Sequence, residues 1–307
     1  MIRTMLSRRK WLQRGAAAGA GLVLGGCTTR KFSGPGPFVL AGDTERWALL
    51  SDPHVCGEAG KRFLGTNMAE HVRRAVDEVT RSRADYAGAI VAGDCAFRRG
   101  EPGDYQMFDE LLGNPVRQAG VPLHLMVGNH DQRDRFESAM RVSAGPAGRC
   151  VSVVRSRYAN WFLLDSLDRT NQRRGRVGAE QVQWLDEALT AEDAKPAIVV
   201  AHHSLDKAPQ VPGFAVGMRD GRDVWAILRR HPHVKAFIYG HTHRWDVRRD
   251  DGIYLVNLPT TAFLLQPRQP QAWVDAVLRR DRIQLRLKPV NGARGDLYGR
   301  VTTLRWA

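Results

Sequence analysis

An α/β fold with a β-rich C-terminal part is predicted by three observations. Short apolar runs of strand length recur between residues 47 and 239. Amphipathic helical stretches stand between them. From about residue 252 the helical spacing stops while strand-like runs continue. In order, residues 47–50 read as a buried strand, and residues 66–83 as a helix with Met68, Val72, Val76 and Val79 on one face. Residues 89–91 and 123–127 are further strands, and residues 158–164 read as a strand pair or one long strand. A helix over 178–190 turns Val182, Leu185 and Leu189 inward, and residues 198–200 form a strand. A helix over 222–230 places Val224, Ile227 and Leu228 on one side, and residues 234–239 form the next strand. Residues 253–256, 272–278 and 283–287 are strands joined by turns.

The composition is that of a globular protein. The chain has 307 residues, 43% hydrophobic and 25% charged, enough to bury one large core or two modest ones. Disorder, collagen and coiled coil do not fit these proportions. No uninterrupted apolar stretch reaches the length of a membrane span, which excludes a polytopic membrane protein. The formal charge is +14, which either favours anionic partners such as phosphates, nucleic acid or an anionic membrane surface or reflects a compositional bias toward Arg, with 39 Arg against 7 Lys. No basic stripe with interleaved aromatics is present, which argues against a nucleic-acid substrate.

The first 26 residues read as an export address. Arg3, Arg8, Arg9, Lys10 and Arg14 stand there without a single acid, and residues 15–26 are small and apolar but too few to span a bilayer. Ser7-Arg8-Arg9-Lys10-Trp11-Leu12 resembles a bacterial twin-arginine signal, and Leu24-Gly25-Gly26-Cys27 resembles a lipoprotein processing box with Cys27 as the lipidated thiol. The expected mature protein is a membrane-anchored lipoprotein facing the periplasm or cell exterior, and Thr28 is not the Asp associated with inner-membrane retention. Residues 27–42, with Gly34-Pro35-Gly36-Pro37, read as a tether, and residues 43–307 as the folded domain. Cys56, Cys95 and Cys150 then remain, and spacing permits a Cys56–Cys95 bridge.

Five of the predicted strands end in potential metal ligands. These are Asp52-Pro53-His54, Gly93-Asp94, Gly128-Asn129-His130-Asp131, His202-His203 and Gly240-His241-Thr242-His243. Carboxyl ends of strands are where α/β folds build sites. Asp52 and His54 are two apart, as are His241 and His243, so extended backbone would turn each pair to one side. Gly93, Gly128 and Gly240 allow sharp turns close to a ligand. Carboxylate, imidazole and amide oxygen together suit Mn, Fe or Zn, and there are too many ligands for one tetrahedral ion. A carboxylate shared between two ions is the economical arrangement.

With these blocks, residues 46–243 resemble the calcineurin-like metallophosphoesterase superfamily. Ala179-Glu180-Gln181-Val182-Gln183-Trp184-Leu185 matches a habit of the same family, and residues 227–245 are similar to its bacterial class III cyclic-nucleotide phosphodiesterase branch. The resemblance implies two packed mixed β-sheets flanked by helices, a four-layer αββα fold, and two bound metal ions. It implies that Asp52, His54, Asp94 and His243 hold one ion and that Asp94, Asn129, His202 and His241 hold the second, with Asp94 bridging. His202 is taken over His203 because it directly follows the apolar strand.

In the same reading His130 sits beside the phosphate, stabilising charge or protonating the leaving oxygen. Asp131 either orients His130 or caps a helix, and His203 and Arg244 are placed at the substrate. The implied reaction is in-line attack on a phosphoester by water whose pKa the two cations lower, with no covalent intermediate on the protein. Phe97 stands where purple acid phosphatases carry a tyrosine ligand, so their charge-transfer colour is not expected.

The substrate is less determined. Residues 204–222 are either a specificity lid or a plain connector. Arg98, Arg99, Lys207, Arg219 and Arg244 either bind a second phosphate or are solvated charges, and Trp225, Trp245 and Trp273 either stack on a base or pack in the core. The leading expectation is a phosphodiesterase acting on a small phosphate ester or a lipid head group. The alternatives are a phosphomonoesterase on nucleotides or sugar phosphates and a non-catalytic phosphate-ligand-binding lipoprotein.

Overall fold

Alternation along the strands sets the layers. A computed structural model describes residues 43–81, 86–205 and 216–306. In β1 (Glu45–Leu50), Trp47 and Leu49 join one apolar cluster while Ala48 and Leu50 join another, and all four are buried. A strand buried on both faces must lie between two layers. It belongs to a six-stranded sheet in the order β14 (Val301–Arg305), β13 (Arg282–Pro289), β12 (Ala272–Arg279), β1, β4 (Tyr86–Ala92), β5 (Leu123–Met126). A second six-stranded sheet runs β10 (Asp246–Asp250), β11 (Ile253–Asn257), β9 (Val234–Tyr239), β8 (Ala197–Ala201), β7 (Asn160–Leu164), β6 (Ser152–Arg155). β2 (Arg62–Phe63) and β3 (Thr66–Asn67) form a separate small hairpin.

The inner core unites the facing sides of both sheets through Trp47, Ile90, Trp161, Ile198, Ile238 and Val274. The first sheet's outer face is covered by α1 (Met68–Arg81), α2 (Pro102–Phe108), α3 (Asn114–Gln118) and α4 (Arg133–Met140), through Val72, Val76, Phe108, Val116 and Phe136. The second sheet's outer face is covered by α5 (Ala179–Ala191) and α6 (Gly221–Arg230), through Leu185, Leu189, Val224 and Leu228. The fold is therefore the four-layer αββα arrangement. The β-rich C-terminal part completes the first sheet, because β12 pairs antiparallel with β1. No helix among the described residues is long and apolar enough to cross a membrane. The signal residues 1–26, the Cys27 lipidation site and the tether 27–42 lie outside the described residues, as does Lys207.

Several elements depart from expectation for physical reasons. β7 starts only at Asn160, and its hairpin partner β6 was not anticipated because Val153 and Val154 are only half-buried. β10 is an edge strand of sequence Asp-Val-Arg-Arg-Asp, and β14 buries only Leu304. Edge strands that are charged, as β10 is, or mostly exposed, as β14 is, carry little apolar signal. Residues 102–118 contain Pro102, Gly113 and Pro115, yet stay helical through a π-turn at Asp109–Gly113 that hands over to α3. One short helical turn, α7 (Asp296–Gly299), interrupts the C-terminal strands. On α5 the buried position is Gln181 rather than Val182, which is half-buried. The Gln181 amide accepts from Asp165 N–H at 2.9 Å and donates to the Asp165 carbonyl at 2.8 Å.

Cys56, Cys95 and Cys150 are free thiols, so no Cys56–Cys95 bridge forms. Cys95 is buried with Sγ near the Met126 carbonyl, while Cys56 packs half-buried against the cluster of Met68, Ala262 and Phe263. Trp225 and Trp273 are core residues, and Trp245 packs half-buried against the inner core.

Asp165, at the end of β7, ties the two halves together. Arg133 of α4 grips both its oxygens, at 2.7 and 3.1 Å, and the backbone N–H groups of Cys150 and Leu167 donate to it. The carboxylate is wholly buried while Arg133 is partly exposed. Replacing Asp165 with Ala should cost about 3 kcal/mol, because a charged partner is stranded; denaturant unfolding would measure it, and a loss under about 1 kcal/mol would remove Asp165 from this role.

Candidate metal centre

The carboxyl ends of β1, β4 and β5 in one sheet meet those of β8 and β9 in the other, and all five motif segments converge there. Backbone bonds lock the loops together. Asp52 N–H donates to the Gly93 carbonyl at 3.2 Å and His54 N–H to the Asp94 carbonyl at 2.9 Å, while Gly240 N–H donates to the His202 carbonyl at 3.0 Å.

Asp52 and His54 are not in extended backbone, and neither are His241 and His243. Their φ values are 53°, 45°, 67° and 54°, and Asp94 adds a fifth left-handed residue at 53°. Each such non-glycine residue costs about 1 kcal/mol. The pairs share a side through left-handed turns, not strand alternation. Pro53 sits between the first two, and the bonds above hold the strained backbone in place.

The glycines earn their positions by close approach. A Cβ on Gly240 would run into Ser51 Oγ and the Asp52 carboxylate, and one on Gly128 into Asp94. At Gly93, which has a φ of 88°, it would meet the His202 ring at 2.7 Å.

Each of the two carboxylates has one oxygen pinned and one turned inward. Asp52 Oδ2 accepts from Ser51 Oγ at 2.5 Å and from His241 N–H, contributed by the other sheet, at 3.0 Å. Its Oδ1 is buried without a hydrogen-bond partner and lies 3.4 Å from His243 Nε2. Asp94 Oδ1 accepts from His130 N–H at 2.7 Å, while Oδ2 lies 3.6 Å from His54 Nε2 and 3.3 Å from His202 Nε2.

The imidazoles are oriented from behind. His202 Nδ1 meets the Ala92 carbonyl at 2.8 Å and His243 Nδ1 meets the Phe263 carbonyl at 2.7 Å. A carbonyl only accepts, so Nδ1 carries the hydrogen and Nε2 presents its lone pair to the centre. His202 Nε2 is also 3.2 Å from Asn129 Oδ1. His54 and His243 have Nε2 atoms 3.1 Å apart.

Buried polar atoms are normally paired. Asp52 Oδ1 and His241 Nε2 are orphans here, and lone pairs of oxygen and nitrogen face one another. That donor set fits cations. Groups of ligand atoms within 4.8 Å of one another are Asp52 with His54 and His243, Asp52 with Asp94 and His202, and His202 with His203 and His241.

The electrostatics agree. Burial would raise both carboxyls, but His243 and His202 pull Asp52 below the ordinary range, and His202 and His130 pull Asp94 well below it. Burial pushes His54 and His241 down to about 3. Burial would lower His202 too, but the Asp94 charge and hydrogen bond, the Asp52 charge and the Ala92 carbonyl together carry it up to about 9.

Three expectations are corrected. Asp131 neither orients His130 nor caps a helix. Its buried carboxylate accepts from the N–H groups of Cys95, Ala96 and Gly128 and from Tyr105 Oη, so it clamps two loops together. His130 is instead oriented by the Arg98 carbonyl, 2.8 Å from Nδ1, and Gln132 caps α4. His203 is wholly buried beside the His241 ring with Nδ1 on Ser166 Oγ at 2.8 Å, so it does not line the cavity. Arg244 is not among the cavity-lining side chains either, since the chain leaves for β10 directly after His243.

The cavity over the centre measures about 350 Å³ and is walled by His54, Asp94, Asn129, His130, His241 and His243. Arg173, Val216, Phe263 and Leu265 complete it; Val216 lies within the 204–222 segment read as a lid or connector, and the sequence reading missed the other three. Arg173 belongs to an Arg pair in the loop after β7, which was the available signal. That loop grips the motif loop through Asn171 N–H on the Asn129 carbonyl at 2.6 Å. Nothing in the sequence marks Phe263, which packs on the His54 and His243 rings. Arg219 pairs with Asp168 at 3.4 Å, and Arg98 lies over the rings of Phe63 and Phe97.

Residues 46–245 match the model of the calcineurin-like phosphoesterase family, and the chain belongs to that family. It is accordingly a hydrolase of the metallophosphoesterase class. The chain is 26% identical to a 3',5'-cyclic adenosine monophosphate phosphodiesterase of Pseudomonas aeruginosa, over 71% of this chain and 76% of that protein. It is 27% identical to a probable cyclic nucleotide phosphodiesterase of Synechococcus, over 62% and 72%. Among solved structures, a dimetal phosphatase from Danio rerio superposes with a TM-score of 0.67 at 17% identity, covering 86% of this chain and all of that one. A purple acid phosphatase from yellow lupin superposes at 0.62 with 15% identity, covering 85% and 54%.

The raised His202 proton affinity has a thermodynamic consequence. It stabilises the metal-free fold fully below the ordinary value of 6.5, and that contribution is lost as pH rises through about 9. Melting of the metal-stripped protein should fall across this window and that of the Mn-loaded protein should not. Parallel curves would contradict the assignment of His202 to the centre.

Proposed function

We propose that this chain hydrolyses phosphodiester bonds of small substrates at a two-cation centre, as an exported and lipid-anchored protein. The observation that carries the reading is the inward convergence of Asp52 Oδ1 and Asp94 Oδ2 with the histidine lone pairs beside His130. Asp52, His54, Asp94 and His243 would hold one ion, and Asp94, Asn129, His202 and His241 the other. Asp94 is the natural shared ligand, since its Oδ2 stands between His54 and His202. Bound there, Mn, Fe or Zn would acidify water and offset charge on the phosphate oxygens.

The chain's own residues supply the rest. The Arg98 carbonyl fixes the hydrogen of His130 on Nδ1, which leaves Nε2 for the substrate. Protonated there, His130 stabilises charge on the phosphoryl group and gives its proton to the departing alkoxide. Arg173 adds positive charge at the cavity wall. Phe263 and Leu265 form the apolar side of the cavity and limit water around the reacting ester.

Relatives named as cyclic nucleotide phosphodiesterases support a diester substrate and make 3',5'-cyclic nucleotides the first class to assay. The export reading rests on the order of basic residues, apolar run and Cys27.

The test is hydrolysis of bis(p-nitrophenyl) phosphate against p-nitrophenyl phosphate, with the protein stripped and reloaded with Mn, Fe, Zn or Mg. Metal-dependent diester turnover should fall roughly 100-fold or more in His130→Ala, and Asp94→Asn should lose it along with metal. Faster monoester turnover would establish a phosphomonoesterase instead. Bound metal without turnover of either ester would overturn hydrolysis of these model esters and favour the phosphate-ligand-binding alternative.

A further inference from the structure

We propose that a second cavity, at the opposite end of the strands from the metal centre, binds a phosphate-bearing anion. It measures about 550 Å³ and is lined by Arg157, Lys195, Arg279, Arg280 and Arg282, with Tyr158. Only Asp43 and Asp281 oppose them in its lining. β1 and β8 begin at this cavity, just after Asp43 and Pro196, whereas the metal-centre residues follow the other ends of these strands. Six residues of β1 separate the two by roughly 20 Å.

Two features mark a ligand site rather than a solvated basic edge. Tyr158 Oη and Arg279 Nε are both buried and have no hydrogen-bond partner. Both side chains line the cavity, so a rotation of either would offer its unpaired donor to an anion bound there. The basic groups also outnumber the acids of the lining, five to two. Arg282 pairs with Asp281 at 2.8 Å and Arg157 stands 3.9 Å from Asp43, while Lys195 donates to the Ser156 carbonyl at 2.7 Å. Arginine forks and a tyrosine hydroxyl are the donors that phosphate oxygens take.

The chain's own N-terminal segment is no match for this cavity. Residues 1–42 contain seven Lys or Arg residues and no acid, so they repel it. The same phosphate chemistry is offered by an anionic phospholipid head group and by a free phosphate. Binding of the first would hold the metal centre at the far end from the bilayer, facing soluble esters.

Hydrogen–deuterium exchange on the full chain tests this apart from the metal centre, because it reads local segments. The segments are 155–159 and 279–283. The probes are inorganic phosphate, phosphatidylcholine vesicles, and phosphatidylcholine vesicles containing phosphatidylglycerol. Protection by phosphate or by the phosphatidylglycerol vesicles, but not by phosphatidylcholine alone, is expected, and the probe that acts identifies the source.

The affinity should fall roughly tenfold or more in Arg279→Gln/Arg280→Gln and should weaken as salt rises. Arg280→Gln alone, at an exposed position, gives the same reading in smaller degree if the double variant does not fold. No protection by either anionic probe, or protection unchanged in a folded variant, would overturn the proposal. Neither result bears on hydrolysis at the metal centre.

Discussion

Two carboxylates buried between the sheets are the constraint around which the molecule is arranged. Asp52 and Asp94 are almost wholly inaccessible, and ionised groups in such a place must be compensated. Part of the compensation is internal: Ser51, the His241 N–H and the His130 N–H each take one oxygen lobe. The remainder is left to histidine nitrogens and to the cations that those nitrogens and oxygens can hold. The proton that His202 gathers in their absence measures the same demand in another form.

Much of the surrounding structure serves that arrangement. Parallel strands of two sheets must end at one edge so that residues far apart in sequence meet. The loops must then turn so sharply that five candidate ligands adopt left-handed backbone, and three glycines must lack a side chain where a Cβ would strike a ligand. Asp131 contributes from underneath, stitching the loop after β4 to the loop after β5 through three backbone N–H groups. Its carboxyl is raised to about 6 by burial and by the nearby Asp94 charge. The clamp is therefore held at an electrostatic cost that nearby cations would reduce.

The readable part of the sequence was the part in which chemistry and periodicity coincide. Ala197–Ala201 is apolar throughout and ends directly in His202, and Val234–Tyr239 is apolar but for Lys235 and ends one Gly before His241, so both the element and the site stood out. The edge strands Asp246–Asp250, with four charged residues of five, and Val301–Arg305, with only Leu304 buried, have little apolar pattern to detect. The helical run over 102–118 was hidden by Pro and Gly that a π-turn absorbs. Within the site, residue identity showed which groups gather but not their roles. Asp131 beside His130, and His203 beside His202, are separated in function by hydrogen bonds to distant segments, Cys95 and Ser166 respectively, which no local pattern encodes. Arg173 reaches the cavity from a loop marked only by an Arg pair, and Phe263 from one that nothing marks.

The central claim is that Asp94 joins two ions in one centre. Electron paramagnetic resonance of the Mn(II)-loaded protein tests it directly, because ions sharing a carboxylate are magnetically coupled while separate ions are not. The account predicts an exchange-coupled pair that is lost in Asp94→Asn. Only the signal of isolated Mn(II) in the saturated wild-type protein would contradict it.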